Sequence, residues 1–181
     1  MNTDCEIDEN ILRLIAGRLG REPRGLREVA VSDGAGRPVV IRVASVVNGK
    51  PFPTLYWLID PAINYRIDRT EASGTIAQLQ ARVNADPALQ SAMFSDHRTH
   101  IARRESFLSA TERAHLDASG QWPAIRERGI GGIADFSRIR CLHTWYAAHL
   151  VEANAVGVML EALWTEGTAG QSAAAVVTPP R

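Results

Sequence analysis

Pro61 divides this chain into two patterns. Before it, β-branched residues crowd into short runs, "LREVAV", "PVVIRVASVV" and "TLYWLI". These are separated by the turn-rich "SDGAGR" and by "NGKPFP". After it, apolar residues recur mostly at helical spacing. Strands followed by helices specify an α+β fold, in which a helical C-terminal half packs on a small antiparallel sheet.

The individual elements follow from local chemistry. In "IDENILRLIAGRL" apolar residues recur at helical spacing from Ile7 to Leu19. Asp8 is placed to cap that helix and Gly20 to end it. "LREVAV" and "PVVIRVASVV" pair as a hairpin about the "SDGAGR" turn. "TLYWLI" is the third strand, and its continuous apolar character predicts a buried central position. Pro51 and Pro53 keep that strand from starting earlier. Tyr56 and Trp57 alternate across it, one towards helices and one towards a pocket or further core.

Residues 61–74 and 74–86 read as two short helices, the second capped by Ser73 or Thr75. Asp86-Pro87 is a strong helix start, with aspartate as cap and proline at the first helical position. The segment that follows reads as one long helix or two. "SGQWPAIRERGIGGI" reads as a short helix and a glycine-containing loop. The last well-defined helix is expected over 138–153, with "AVGVMLEALW" extending it after a break. From Glu166 the chain reads "EGTAGQSAAAVVTPPR", small, polar and proline-ended, and is expected to be disordered. Residues 1–165 are thus expected to form a single domain.

With 181 residues the chain is long enough to bury a sizeable core. Its 20 basic and 20 acidic residues cancel. That excludes a strong general attraction to nucleic acid or to an anionic membrane surface. No apolar run approaches the ~18 residues of a membrane-spanning helix. The N-terminus "MNTDCEIDEN" lacks the pattern of a signal peptide. With only Cys5 and Cys141 there is no disulfide framework, and a cytoplasmic setting is expected.

The densest chemistry lies in "SRIRCLHTWYAAHLVEANAVG". On a helix Cys141 and His143 stand about 160° apart and cannot face one ion. Cys141 and His149 are about 12 Å apart along the axis. A metal would therefore need Cys141 at the first turn, with further ligands from elsewhere. A cysteine at a helix N-terminus is also a better nucleophile or ligand. The competing reading makes Cys141 and Leu142 core and the two histidines surface or hydrogen-bonded groups. Arg138 and Arg140, with the amides after "GIGGI", could receive an anion at the helix start. In "SDHRTHIARRE", His97 and His100 share a helix face, as do Asp96 and His100. That spacing suits either a metal pair or, more simply, a solvated polar face. No phosphate loop, serine elbow or H-E-x-x-H motif is present.

Three stretches together are familiar: "RLGREPRGLREVAV", "GRPVVIRVASVVNGKPFPTLYWLIDP" and "IRCLHTWYAAHLVEANAVG". In this order the chain resembles the bacterial domain of unknown function 501 family, from about residue 11 to residue 157. The most specific pieces are "PFPTLYWL" and "CLH". The family is common in actinobacteria, which suits a chain whose only lysine is Lys50. The resemblance implies a fold family but no reaction.

The family pattern also carries cysteines at the hairpin turn, before the proline after the W-L strand, and in K-C-L-H. A further histidine stands about five residues beyond. Here the turn is "SDGAGRP", Asp60 stands at the strand end, and Ala148 lies beside His149. Only Cys141 and His143 match directly. If these places meet in the fold, the family's cysteines form a thiolate-rich metal site. In this chain Asp60, Cys141 and His143, with Asp33, would then form a harder and weaker site for zinc or iron. Equally, the site is gone and the fold kept. The expected function is accordingly a ligand- or metal-binding protein whose site lies between the end of strand 54–59 and the start of helix 138–153. Its partner would be a small anion. The alternative is a non-catalytic module that binds a protein partner.

Overall fold

The computed structural model describes residues 7–174, with side chains over 7–166. Helix α1 spans Glu9–Leu19. The Asp8 side chain accepts the Asn10 N–H, and Gly20 closes the helix at φ +66°, where only glycine is unstrained. Strands β1 (Leu26–Ser32) and β2 (Pro38–Val43) form the expected antiparallel hairpin. The run expected as one second strand is broken after Val43: its last two residues form β3 (Val46–Val47), which turns back onto β4 (Lys50–Pro51) in the expected loop. Strand β5 (Tyr56–Leu58) completes the main sheet in the order β1-β2-β5.

That order corrects one expectation. The apolar third strand is an edge, and β2 is the central strand. The run in β5 is apolar because both of its faces are covered. Tyr56 joins the core that faces the helical half, while Trp57 packs with Ile15, Ile41, Val43 and Ile59 on the α1 side. The sheet therefore lies between α1 and the remaining helices.

The helical half comprises α2 (Pro61–Ala72), α3 (Thr75–Ala85), α4 (Pro87–Ser106), α5 (Ala110–Ala118), α6 (Trp122–Arg126), α7 (Leu142–Val151) and α8 (Ala155–Ala174). A 3-10 turn, Ile130–Gly132, precedes α7. The long segment after Pro87 is two helices, and Ser109 starts the second with a reciprocal capping box to Glu112. Asp86 caps α4 as its sequence requires. Helix α3 differs from expectation: its cap is Gly74, with no side-chain cap bond.

Helix α7 sits at the centre. It is apolar on nearly every side, burying Leu142, Trp145, Tyr146, Ala147 and Ala148, as a core helix must. It starts four residues later than expected. Gln80 of α3 donates to Ser137 O and accepts the Ile139 N–H, holding 137–139 out of the helix. Helix α8 continues through Ala174, so part of the segment expected to be disordered is helical. Residues 175–181 lie outside the described residues, as does Cys5.

Helix α4 buries a polar stripe. Arg104 is fully buried, and its guanidinium donates to Pro53 O at 2.6 Å and to the carbonyls of Ile125 and Arg128. Among the described residues no helix is long and apolar enough to cross a membrane.

Candidate metal centre

The site is assembled from the last turns of α2 and the first turn of α7. Cys141 is the N-cap of α7, and its backbone is extended at φ −151°, ψ 120°. The helical-wheel separation of Cys141 from His143 therefore does not apply. Cys141 Sγ lies 3.8 Å from His143 Nδ1. Thr144 Oγ1 donates to Cys141 O at 3.0 Å and fixes this turn.

The third member comes from α2. Glu71 Oε1 lies 3.5 Å from His143 Nδ1 and accepts the Leu142 N–H at 2.6 Å. The ligand atoms of Glu71, Cys141 and His143 all fall within 4.8 Å of one another. On the far side of the ring, His143 Nε2 faces Asp68 Oδ1 at 3.3 Å. Glu71 and His143 side chains are each 26% exposed, so the cluster is reachable from solvent without lying flat on the surface.

Each group modifies the others. Burial would raise the Cys141 thiol, but the His143 contact and the backbone at Thr144 outweigh it and hold the thiol below its ordinary value. The contact with Cys141 raises His143 above its ordinary value against the effect of burial, and Glu71 and Asp68 add to the rise.

Tetrahedral zinc bound by thiolate, imidazole and carboxylate sets its ligand atoms about 3.3–3.6 Å apart. The Cys141 Sγ–His143 Nδ1 and His143 Nδ1–Glu71 Oε1 separations, 3.8 and 3.5 Å, lie within a few tenths of an ångström of that. A ring that offers Nδ1 to a cation while Nε2–H meets a carboxylate has the usual outer-shell arrangement of a metal-bound histidine. The mixed S, N and O set suits zinc or iron(II) rather than magnesium or calcium.

Of the residues expected from sequence, Cys141 and His143 are brought together and two aspartates are not. The Asp60 carboxylate caps α2 by accepting the Ala62 and Ile63 N–H groups. Glu71 stands eleven positions further along the chain, about 16 Å along the helix axis. Asp33 is committed to the hairpin turn, accepting from the Ala35 and Arg37 backbones and from Arg37 Nε at 2.7 Å. The hydrogen bonds from Arg37 hold its carboxyl below the ordinary range.

The expected anion at the start of α7 has a protein counterpart, because the Leu142 amide already receives the Glu71 carboxylate. Arg138 is exposed beside the Asp135 turn. Arg140 is exposed and lines a cavity that also reaches Cys141.

Glu71 and Asp68 were missed in the sequence. A signal was present: both carboxylates lie in the last turns of α2, where the helix dipole disfavours negative charge. Such placement asks for a partner outside the helix.

His97 and His100 correct another expectation. They form no solvated face; both are buried. His97 Nδ1 accepts the Ile130 N–H at 2.9 Å, and the ring stacks on Phe136. His100 meets Tyr56 edge-on. His149, also apart from the cluster, pairs with Glu161 and accepts the Asn154 N–H.

A family model described as protein of unknown function (DUF501) matches residues 29–162. The chain belongs to that family. No curated protein matches the chain, and no solved structure does.

Proposed function

We propose that this protein binds one divalent cation of the zinc or iron(II) type through Glu71, Cys141 and His143. The observation that carries this reading is the convergence of three different ligand types, within 4.8 Å, on a histidine whose other nitrogen faces Asp68. Three protein ligands leave a fourth tetrahedral position open, as in catalytic rather than structural zinc sites. Cys141 supplies the soft thiolate that selects the metal, and Glu71 adds a charge that balances it. The setting is cytosolic, where a lone thiolate ligand stays reduced.

The decisive test is elemental analysis of untagged protein beside Cys141→Ser. The expected result is one zinc or iron per chain in the native protein and less than a tenth of that in the variant. Metal-free native protein that also fails to take up added zinc overturns the reading.

A second reading, a protein-interaction module, draws support from a groove between α4 and the loop before α7. Phe94 is 47% exposed there, packed edge-on against Phe136 and beneath Arg98. Ile101 and Ala102 line the groove beside Arg98, Glu105, Arg126 and Glu127, a mixed apolar and charged lining that suits a partner protein. It becomes the leading reading if metal is absent.

A further inference from the structure

Between β5, α4 and the turn from α7 to α8 lies a cavity of about 90 Å³. A single buried water needs only about 10–15 Å³ of such space, so a small solute fits. Asp96, His100 and Arg103 line the cavity from one face of α4, and Tyr56 forms its β5 wall, edge-on to the His100 ring.

His100 is 7% exposed, and its Nε2 has no hydrogen-bond partner among the described residues. A buried ring nitrogen in this state asks for a partner that the protein does not supply. Asp96 Oδ2 accepts the Ala155 N–H at 2.8 Å, and no described residue bonds its other oxygen. Arg103 Nη2 meets Glu152 at 2.8 Å, which leaves other N–H groups of the guanidinium to a ligand. Both members of that pair are partly exposed, so they stand on the solvent side of the cavity.

The two ends of the lining differ in sign. Burial keeps His100 neutral, and among the charges that add to this are those of Arg104 and Arg103. Burial, opposed by the Ala155 N–H, raises the Asp96 carboxyl, and the Glu152 anion adds to the rise. An anionic group is therefore favoured beside His100 and a cationic group beside Asp96.

We propose that this cavity binds a small zwitterionic amino acid, with its carboxylate between His100 and Arg103 and its ammonium on Asp96. His100 donates Nε2–H, and each end of the ligand makes a charge-assisted hydrogen bond. The site shares no residue with the Glu71, Cys141 and His143 cluster and does not rest on the metal reading.

Equilibrium dialysis with labelled glycine tests this, beside methylammonium and acetate, which are its two halves. The expected result is one saturable glycine site per chain, with each half bound at least tenfold more weakly. Asp96→Asn keeps a carbonyl oxygen for the Ala155 N–H and should bring glycine down towards the affinity of acetate. Arg103→Gln should bring it down towards that of methylammonium. Circular dichroism checks the fold of both, and if one does not fold the other decides. Cys141→Ser should bind glycine as the native chain does, so this proposal and the metal reading fail separately. No saturable glycine binding at millimolar concentration, a half bound as tightly as glycine, or native glycine affinity in a folded variant each overturn the proposal.

Discussion

The backbone N–H of Leu142 donates to Glu71 Oε1 at 2.6 Å, joining residues 71 apart in sequence. Cys141 occupies the N-cap position but makes no side-chain cap bond, so α7 receives its cap from another helix. Glu71→Ala should therefore destabilise even the metal-free protein, by ~1–2 kcal/mol, because a partly buried donor loses its acceptor. Glu71→Gln, which retains a carbonyl oxygen, should lose clearly less. Urea denaturation of metal-stripped protein measures both. Equal stability of the two variants would show that the bond does not hold the helix start.

Asp68 reaches the site only through the far nitrogen of His143. Asp68→Asn should leave metal-free stability unchanged, since the side chain is 66% exposed, yet lower zinc affinity about tenfold. Competition against a chromophoric chelator reads this directly. Unchanged affinity would place Asp68 outside the site.

Burial lowers His97 to about 4 and His100 to about 3, from an ordinary 6.5, and for His100 the charges of Arg104, His97 and Arg103 add to burial. Both are bases with depressed folded values. The unfolded chain takes up their protons first as pH falls through 6.5, and the folded chain does not. Their contribution is complete above that pH and is lost towards pH 4 and 3. The slope is at most about 1.4 kcal/mol per pH unit for each histidine. Chemical denaturation across pH 7 to 4 should show this decline. His100→Leu should make it shallower, and a parallel curve would contradict the assignment.

Gly157 lies in the first turn of α8, where alanine ordinarily favours a helix by about 1 kcal/mol. Here a Cβ would stand 2.1 Å from His149 Cγ. Gly157→Ala should therefore destabilise, by roughly 1–3 kcal/mol, through displacement of that ring. In a His149→Ala background the same substitution should become neutral or stabilising. An additive pair would show that the ring is not the obstacle.

The sequence carried the outline of this fold in its punctuation. Asp8 and Gly20 bracket α1, Asp86 and Pro87 open α4, and the "SDGAGR" turn makes the hairpin, because each acts within a few residues of itself. Polar residues in the core were less readable. On α4 the buried stripe is Met93, His97, His100 and Arg104. Three of these four are polar, so hydrophobic periodicity assigns the face to solvent. The strand order was likewise hidden, because an edge strand covered on both faces has the same composition as a central one. Of the candidate cluster, Cys141 and His143 stood out by residue type. Their proximity depends on one extended residue at a helix boundary, and Glu71 arrives from a contact that no local pattern encodes.

Arg104 joins the loop at Pro53 to the carbonyls of Ile125 and Arg128 through one guanidinium. Burial lowers it to about 10, so it remains a cation at neutral pH. None of these segments can expose its carbonyl to water without disturbing the bonds of the others. Loops that look separate along the chain should consequently share a single opening event in hydrogen exchange. Their amides should be released together, and the floor beneath the sheet and the approach to α7 should loosen as one body.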